Sequence, residues 1–217
     1  MTAWLTRWGP LAGALSGIIF IVSFITGPST PNSSQTGAQV ISWYTAHHTG
    51  RILSDLLAAL AMALLVVFAV ALAGRVRRGE KWVAVGPVAG ALGLGVGLAV
   101  ALGFDLLLAL DTKYLNDSSA QALNLLQNDF FLPIALGVVL FGILGGLSVV
   151  AGRILPVAMG WVLFAVGVVA LVPPLSWFAL LAVMLWVLIA GIWMTVRKPA
   201  AAQSEPVAAS EQVPSLT

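Results

Sequence analysis

The sequence lacks cysteine and carries very little charge. None of the 217 residues is a cysteine, which excludes disulfides, thiol nucleophiles and cysteine-ligated zinc or iron–sulfur centres. Charged residues make up 8% of the chain, whereas a soluble domain carries about 25%. A soluble domain of this size needs more charge to cover its surface, while lipid can cover an apolar one. The scarcity of charge therefore predicts a membrane protein.

Sequence signatures of catalysis and of nucleic-acid binding are also absent. The net charge is +2 and the pI is about 9.4, but the basic residues lie at the ends of apolar runs. A nucleic-acid-binding protein instead gathers them into a patch or stripe, so we expect no nucleic-acid partner. There is no P-loop, dinucleotide-binding fingerprint or Ser–His–Asp arrangement. We therefore expect no catalytic residue and no cofactor.

Six apolar runs are long enough to cross a bilayer, because about 20 helical residues span a hydrocarbon core of about 30 Å. They cover residues 8–26, 52–74, 82–110, 130–152, 154–172 and 177–196. The first run is long for a signal peptide and no A-x-A site follows it, so we expect it to remain uncleaved. The sequence predicts an all-α integral membrane bundle of six transmembrane helices over residues 1–198. Residues 199–217, rich in Pro, Ala, Ser and Glu, should form a disordered cytoplasmic tail.

The basic residues predict the orientation of this bundle, because loops rich in Lys and Arg stay in the cytoplasm. With six spans, eight of the ten basic residues fall on one side: Arg7, Arg75, Arg77, Arg78, Lys81, Arg153, Arg197 and Lys198. Arg51 and Lys113 fall on the other side. We expect a multi-pass protein of the cell membrane with both termini in the cytoplasm. Its basic loop, Arg75 to Lys81, should attract anionic lipid headgroups.

The outer loops are expected to hold short helices. The first outer loop, residues 27–50, opens with prolines and serines and then predicts a short amphipathic helix from about Gln35 to His48. That helix would lie on the membrane surface or cap the bundle. The second outer loop, residues 111–129, predicts a helix that starts near Ser119 and runs into the fourth span.

Glycines recur every four residues in three of the predicted spans. They are Gly9, Gly13 and Gly17, then Gly86, Gly90, Gly93 and Gly97, then Gly142 and Gly146. Glycine lets helix backbones approach closely in lipid. These glycines would pack the helices of one chain, or support contact with a second copy or another membrane protein.

Polar residues gather near the outer ends of the spans, where ionisable groups are costly and invite a functional explanation. The candidate site consists of Arg51, Asp55, Asp105, Asn124, Asn128 and Asp129. Arg51 and Asp55 are four residues apart, so they project from one helix face. Either Arg51 pairs with a carboxylate for stability alone, or the cluster binds a cation, proton or polar ligand. The adjacent His47 and His48 point in different directions on a helix, so we expect no metal site.

Three segments of the chain resemble a group of uncharacterised six-span bacterial membrane proteins, classed as a domain of unknown function. They are Trp43-Tyr44-Thr45-Ala46-His47 leading into Arg51-Ile52-Leu53, Leu123-Asn124 to Asn128-Asp129, and Ile154-Leu155-Pro156-Val157-Ala158-Met159-Gly160-Trp161. The last segment departs from the group at Val157, where a basic residue often follows the proline. The resemblance covers about residues 8–196. It implies the fold and no activity or ligand.

Three functions are compatible with these observations. The leading hypothesis is a non-enzymatic membrane module that assembles with, or modulates, another membrane component. The alternative is a small transporter or channel whose outward-facing site contains Asp105, Asp55 and Arg51. An intramembrane lipid-modifying enzyme, with Asp105 and His47 or His48 as acid and base, is the third.

Overall fold

Seven α-helices and two 3-10 helices form the described part of the chain, which in this computed structural model is residues 3–75, 81–129 and 131–197. The α-helices are α1 (Ala3–Thr26), α2 (Gly37–Ala73), α3 (Lys81–Leu110), α4 (Asp117–Asp129), α5 (Phe131–Gly152), α6 (Val157–Val169) and α7 (Ser176–Val196). The 3-10 helices are Thr112–Tyr114 and Pro173–Leu175. No strand occurs within these described ranges, which agrees with the all-α prediction.

Five helices in the described ranges are long and apolar enough to cross a membrane. They are Arg7–Thr26, Gly37–Ala73, Val83–Leu110, Asp117–Gly152, in which α4 and α5 are taken together, and Ser176–Val196. Helices of this length and composition are those of a multi-pass membrane protein. The apolar helix α6 has 13 residues, so it is only about 20 Å long.

The short length of α6 departs from the predicted span over residues 154–172. Pro156 precedes the first helical residue, and its ring nitrogen has no hydrogen to donate. At the other end, Leu171 N donates to Val168 O and Val172 N donates to Val169 O, at 3.1 and 3.0 Å. These shorter-range bonds tighten the chain into a turn, so the helix stops at Val169.

The separate amphipathic helix predicted in the first outer loop is instead the beginning of α2. Thr36 and Gln39 form a reciprocal cap: Gln39 N donates to Thr36 Oγ1 at 3.4 Å, and Thr36 N donates to Gln39 Oε1 at 2.9 Å. No proline follows within α2, and Gly50 stays helical, so the helix continues unbroken to Ala73.

The second outer loop also differs from its prediction. The α4 helix begins at Asp117, because Asn116 caps it: Ser119 N donates to Asn116 Oδ1 at 2.8 Å, and Asn116 N donates to Ser119 Oγ at 3.1 Å.

Several predictions fall outside the described residues. These are the tail 199–217, Lys198, Arg77, Arg78 and the first residue of the predicted fourth span, residue 130.

The long helices pack in a ring. In order around the bundle, α7, α1, α2, α3, α5 and α6 each lie along the next, and α7 also touches α5 and α6. The helix α4 lies across α2 and α3 at one end of this ring. A small apolar cluster under α4 holds it there, with Tyr44 and Val40 of α2 against Leu108 of α3 and Ala120 of α4.

Glycines bring neighbouring helix backbones close together within this one chain. A Cβ at Gly90 of α3 would overlap the backbone of Phe141 in α5, and one at Gly142 of α5 would overlap Gly167 of α6. A Cβ at Gly9 of α1 would overlap the side-chain methyl group of Ala71 in α2. All nine glycines of the sequence pattern contact another helix of the chain, so intramolecular packing explains them.

Candidate functional site

An arginine shared by two carboxylates forms the centre of the candidate site. Arg51 and Asp55 project from the same face of α2, and Asp105 faces them from α3. Arg51 Nη2 donates to Asp105 Oδ2 and lies 2.8 Å from Asp55 Oδ1. Both carboxylates are buried, at 1% exposure each. The structure thus brings together the three charged residues that were expected to converge from α2 and α3.

Asp105 is fully supplied with hydrogen-bond donors. Besides Arg51, Tyr44 Oη donates to Asp105 Oδ1 at 2.5 Å. Gln127 Nε2 of α4 makes a longer contact with Asp105 Oδ2, at 3.4 Å. A buried carboxylate needs such donors, because it has lost the water that would otherwise stabilise its charge. Tyr44 and Gln127 were not among the predicted site residues.

Asp55, in contrast, has an ion-pair partner but no hydrogen-bond donor. The 2.8 Å approach of Arg51 Nη2 satisfies the distance of an ion pair, yet its direction does not meet hydrogen-bond geometry. No group in the described part of the chain makes a hydrogen bond of acceptable geometry to either carboxylate oxygen of Asp55, and both oxygens are buried. Arg51 therefore donates its hydrogen bond to Asp105, while the two oxygens of Asp55 accept none in the described part of the chain.

Asn124 and Asn128 of α4 hold the first loop and do not touch the charged residues. Asn124 Nδ2 donates to Asn32 O at 2.9 Å. Asn128 Nδ2 lies 3.1 Å from Pro31 O and 2.8 Å from Asn124 O. These amides donate to loop carbonyls, of which that of Asn32 also accepts from Gln35 N at 3.2 Å. They thereby fix the segment that precedes α2 against α4.

A cavity of about 710 Å³ lies beside Asp55. Its polar wall includes Arg51, Asp55, Ser54, Gln127, Asn128 and residues 27–30 of the first loop. Its apolar wall comes from α1, α2, α3 and α7, namely Phe20, Phe24, Ala58, Leu98, Leu102, Trp177, Phe178 and Leu181. This volume is in the range of about 300–1,000 Å³ that is typical of small-molecule sites.

Three residues of the sequence hypotheses lie apart from this cluster. Asp129 is exposed and does not line the cavity. His47 bonds through Nδ1 to Trp43 O at 2.9 Å and stacks on the Trp43 ring. His48 lies 3.1 Å from Thr49 Oγ1. Asp105 therefore contacts neither histidine in the described ranges, so the acid–base pair of the enzyme hypothesis is not assembled there.

No group of three or more His, Cys, Asp or Glu side chains in the described part of the chain is placed to hold a metal ion.

Comparison with protein-family models, with curated proteins and with solved structures gives no match for this chain. The resemblance to the six-span bacterial group stays a prediction.

Proposed function

We propose that this chain is a membrane protein that binds a small molecule in the cavity beside Asp55, as a transporter or channel would. The supporting observation is Asp55, a residue of the cavity wall whose two buried carboxylate oxygens accept no hydrogen bond in the described part of the chain. Buried polar groups are normally paired, and an unpaired one at the wall of a cavity favours a missing partner from outside the chain. The ion pairs of Arg51 leave both oxygens of Asp55 and the Nε of Arg51 without a hydrogen-bond partner in the described part of the chain.

We further propose that α6 is the sixth crossing and that both termini are cytoplasmic, as the distribution of basic residues indicates. The cavity would then open on the outer side of the cell membrane. The length of α2 supports this position: from Arg51 to Ala73 it rises about 33 Å, close to the thickness of the hydrocarbon core. Arg51 would lie at the outer boundary and Asp55 one turn deeper.

A role in assembling with another membrane component stays a prediction with less support. It was based on the absence of catalytic motifs together with the glycine faces, and those glycines pack against helices of the same chain. Anionic lipid at the loop from Arg75 to Lys81 also stays a prediction.

Native mass spectrometry after gentle extraction from the source membrane tests the binding function. We expect the wild-type chain to carry a bound small molecule. The Ala58→Phe variant, which places a ring in the cavity, should lose it. Ala59→Phe is the matched control, because Ala59 is the next residue of α2 and does not line this cavity.

Two results would contradict the proposal: an unliganded wild-type chain, or a bound molecule that persists in Ala58→Phe. Recovery of a stoichiometric protein partner in place of a small molecule would instead favour the assembly role.

A further inference from the structure

The charges around the cavity do not balance. With both carboxylates ionised, Asp55 and Asp105 contribute two negative charges, and Arg51 contributes one positive charge. Among the described residues that line the cavity, Arg51 is the only cation. The hydroxyl of Tyr44 and the amide of Gln127 donate hydrogen bonds but add no charge. One negative charge is therefore left over in a buried place, which is costly unless a positive group neutralises it.

That excess charge lies nearest Asp55. Arg51 donates its hydrogen bond to Asp105, which also accepts hydrogen bonds from Tyr44 Oη and Gln127 Nε2. Ser54, the residue before Asp55, does not donate a hydrogen bond to the Asp55 carboxylate, because its hydroxyl donates to Ser23 O at 2.9 Å. Asp55 lines the cavity, so a positive group bound in the cavity would lie beside this carboxylate.

The rest of the cavity favours an apolar body on the same molecule. Phe20, Phe24, Trp177 and Phe178 line it, and aromatic faces attract cations as well as apolar groups. Phe20 is almost fully buried, while Phe24 and Phe178 are 57% and 70% exposed and so border the opening of the cavity.

A bare metal ion fits this site poorly. Calcium takes about six to eight oxygen ligands, and magnesium requires a near-ideal octahedron. The carbonyls of Pro31 and Asn32, which lie nearby in the first loop, already accept hydrogen bonds from Asn128 and Asn124. An ammonium group needs only a carboxylate and an aromatic surface, and both are present.

We propose that the ligand of this cavity is a lipophilic amine, with its ammonium group on Asp55 and its apolar body between the side chains of α1, α3 and α7. This assignment rests on the proposed binding function and narrows it to one chemical class. A proton on Asp55 could neutralise the same charge, but it would make no use of the aromatic wall.

Three probes with the same apolar body separate these cases: 4-phenylbutylammonium, 4-phenylbutanol and 4-phenylbutanoate. The chain has no native cysteine, so Ser29→Cys places a single thiol at the cavity wall. The measurement is the rate of maleimide labelling of this thiol in nanodiscs as each probe is added. We expect only the ammonium to slow labelling in a saturable way.

Asp55→Asn in the Ser29→Cys background should weaken this protection about tenfold or more, because a charge-assisted contact is lost. Asp129→Asn is the matched control, since Asp129 is exposed and outside the cavity. Size-exclusion profiles and unfolding temperatures show whether each variant is folded. If Asp55→Asn does not fold, the comparison of the three probes on the parent protein still decides the question.

Equal protection by the alcohol or the carboxylate would overturn the amine assignment while leaving a cavity that binds small molecules. Undiminished protection in folded Asp55→Asn would overturn the contact with Asp55. Absence of protection by all three probes, together with an unliganded chain in native mass spectrometry, would remove the binding function as well.

Discussion

Tyr44 determines how the buried charges share their partners. It is fully buried among α2, α3 and α4, and its hydroxyl is the donor to one oxygen of Asp105. Arg51 then needs to supply only the other oxygen. The phenol thus stabilises a carboxylate without neutralising it, which is why the site retains its excess charge.

Tyr44→Phe should destabilise the protein by about 1–3 kcal/mol, because it leaves one buried oxygen of Asp105 without a donor. The measurement is the free energy of unfolding in mixed micelles. Tyr114→Phe is the matched control, since Tyr114 is 76% exposed. Equal stability of the two variants would show that the hydroxyl of Tyr44 is not needed by Asp105.

The sequence contained more of this site than was predicted from it. Tyr44 precedes Arg51 by seven residues, or two helical turns, so it lies on the face that carries Arg51 and Asp55. The helix predicted from about Gln35 to His48 ends before Arg51, so Tyr44 was not placed on the same helix as the charged residues. The roles of the Pro31 and Asn32 carbonyls could not be foreseen, because every residue has a carbonyl and only the fold selects which of them accept side-chain hydrogen bonds.

At the scale of the elements, α3 carries two glycines in opposite situations. Gly90 is buried against the backbone of Phe141 in α5, which cannot move aside as a flexible side chain would. Gly103 has nothing within 4 Å among the described residues of other elements. One glycine therefore permits a helix contact, while the other only weakens the helix.

Gly90→Ala should destabilise the protein by about 1–3 kcal/mol, because the added methyl group forces α3 and α5 apart. Gly103→Ala in the same helix should be neutral or stabilising by up to about 1 kcal/mol, because alanine favours helix. Both are compared with the wild type by unfolding in mixed micelles. A Gly90→Ala variant as stable as Gly103→Ala would be incompatible with the close approach of α3 and α5.

The ends of a helix were predictable where an apolar run has clear ends. They were less predictable where local hydrogen bonds determine at which residue the helix begins or ends. α7 begins and ends close to its prediction. α2 begins near the predicted start of the outer helix, but no break separates that helix from the predicted span at residue 52, because α2 contains no proline and Gly50 stays helical. α6 is shorter than its apolar run, since residues 170–172 are apolar enough to cross lipid but form a turn.

At the scale of the whole molecule, the proposed number of crossings determines on which side the tail lies. If α6 crosses the membrane with the five longer spans, the first loop and the tail lie on opposite sides. If α6 does not cross, they lie on the same side. Hydropathy gives the number of apolar runs. It does not show whether a helix of about 20 Å, such as α6, crosses the membrane.

Single cysteines in this cysteine-free chain can test the topology directly. A membrane-impermeant maleimide should label Ser34→Cys and Ser118→Cys in intact cells, because both serines are exposed on the segments before α2 and in α4. Ser204→Cys, in the tail, should react only after permeabilisation. Labelling of all three in intact cells would indicate five crossings, and the reverse pattern would invert the orientation.

The unbroken length of α2 has a mechanical consequence. The helix is about 55 Å long, with Tyr44 in its first half, Asp55 at its midpoint and the Gly9 contact of Ala71 near its far end. A tilt of about 5° around its midpoint would displace each end by roughly 2 Å in opposite directions. A displacement at the Tyr44 end would therefore be matched by an opposite displacement near Ala71, while Asp55, at the pivot, would stay nearly in place.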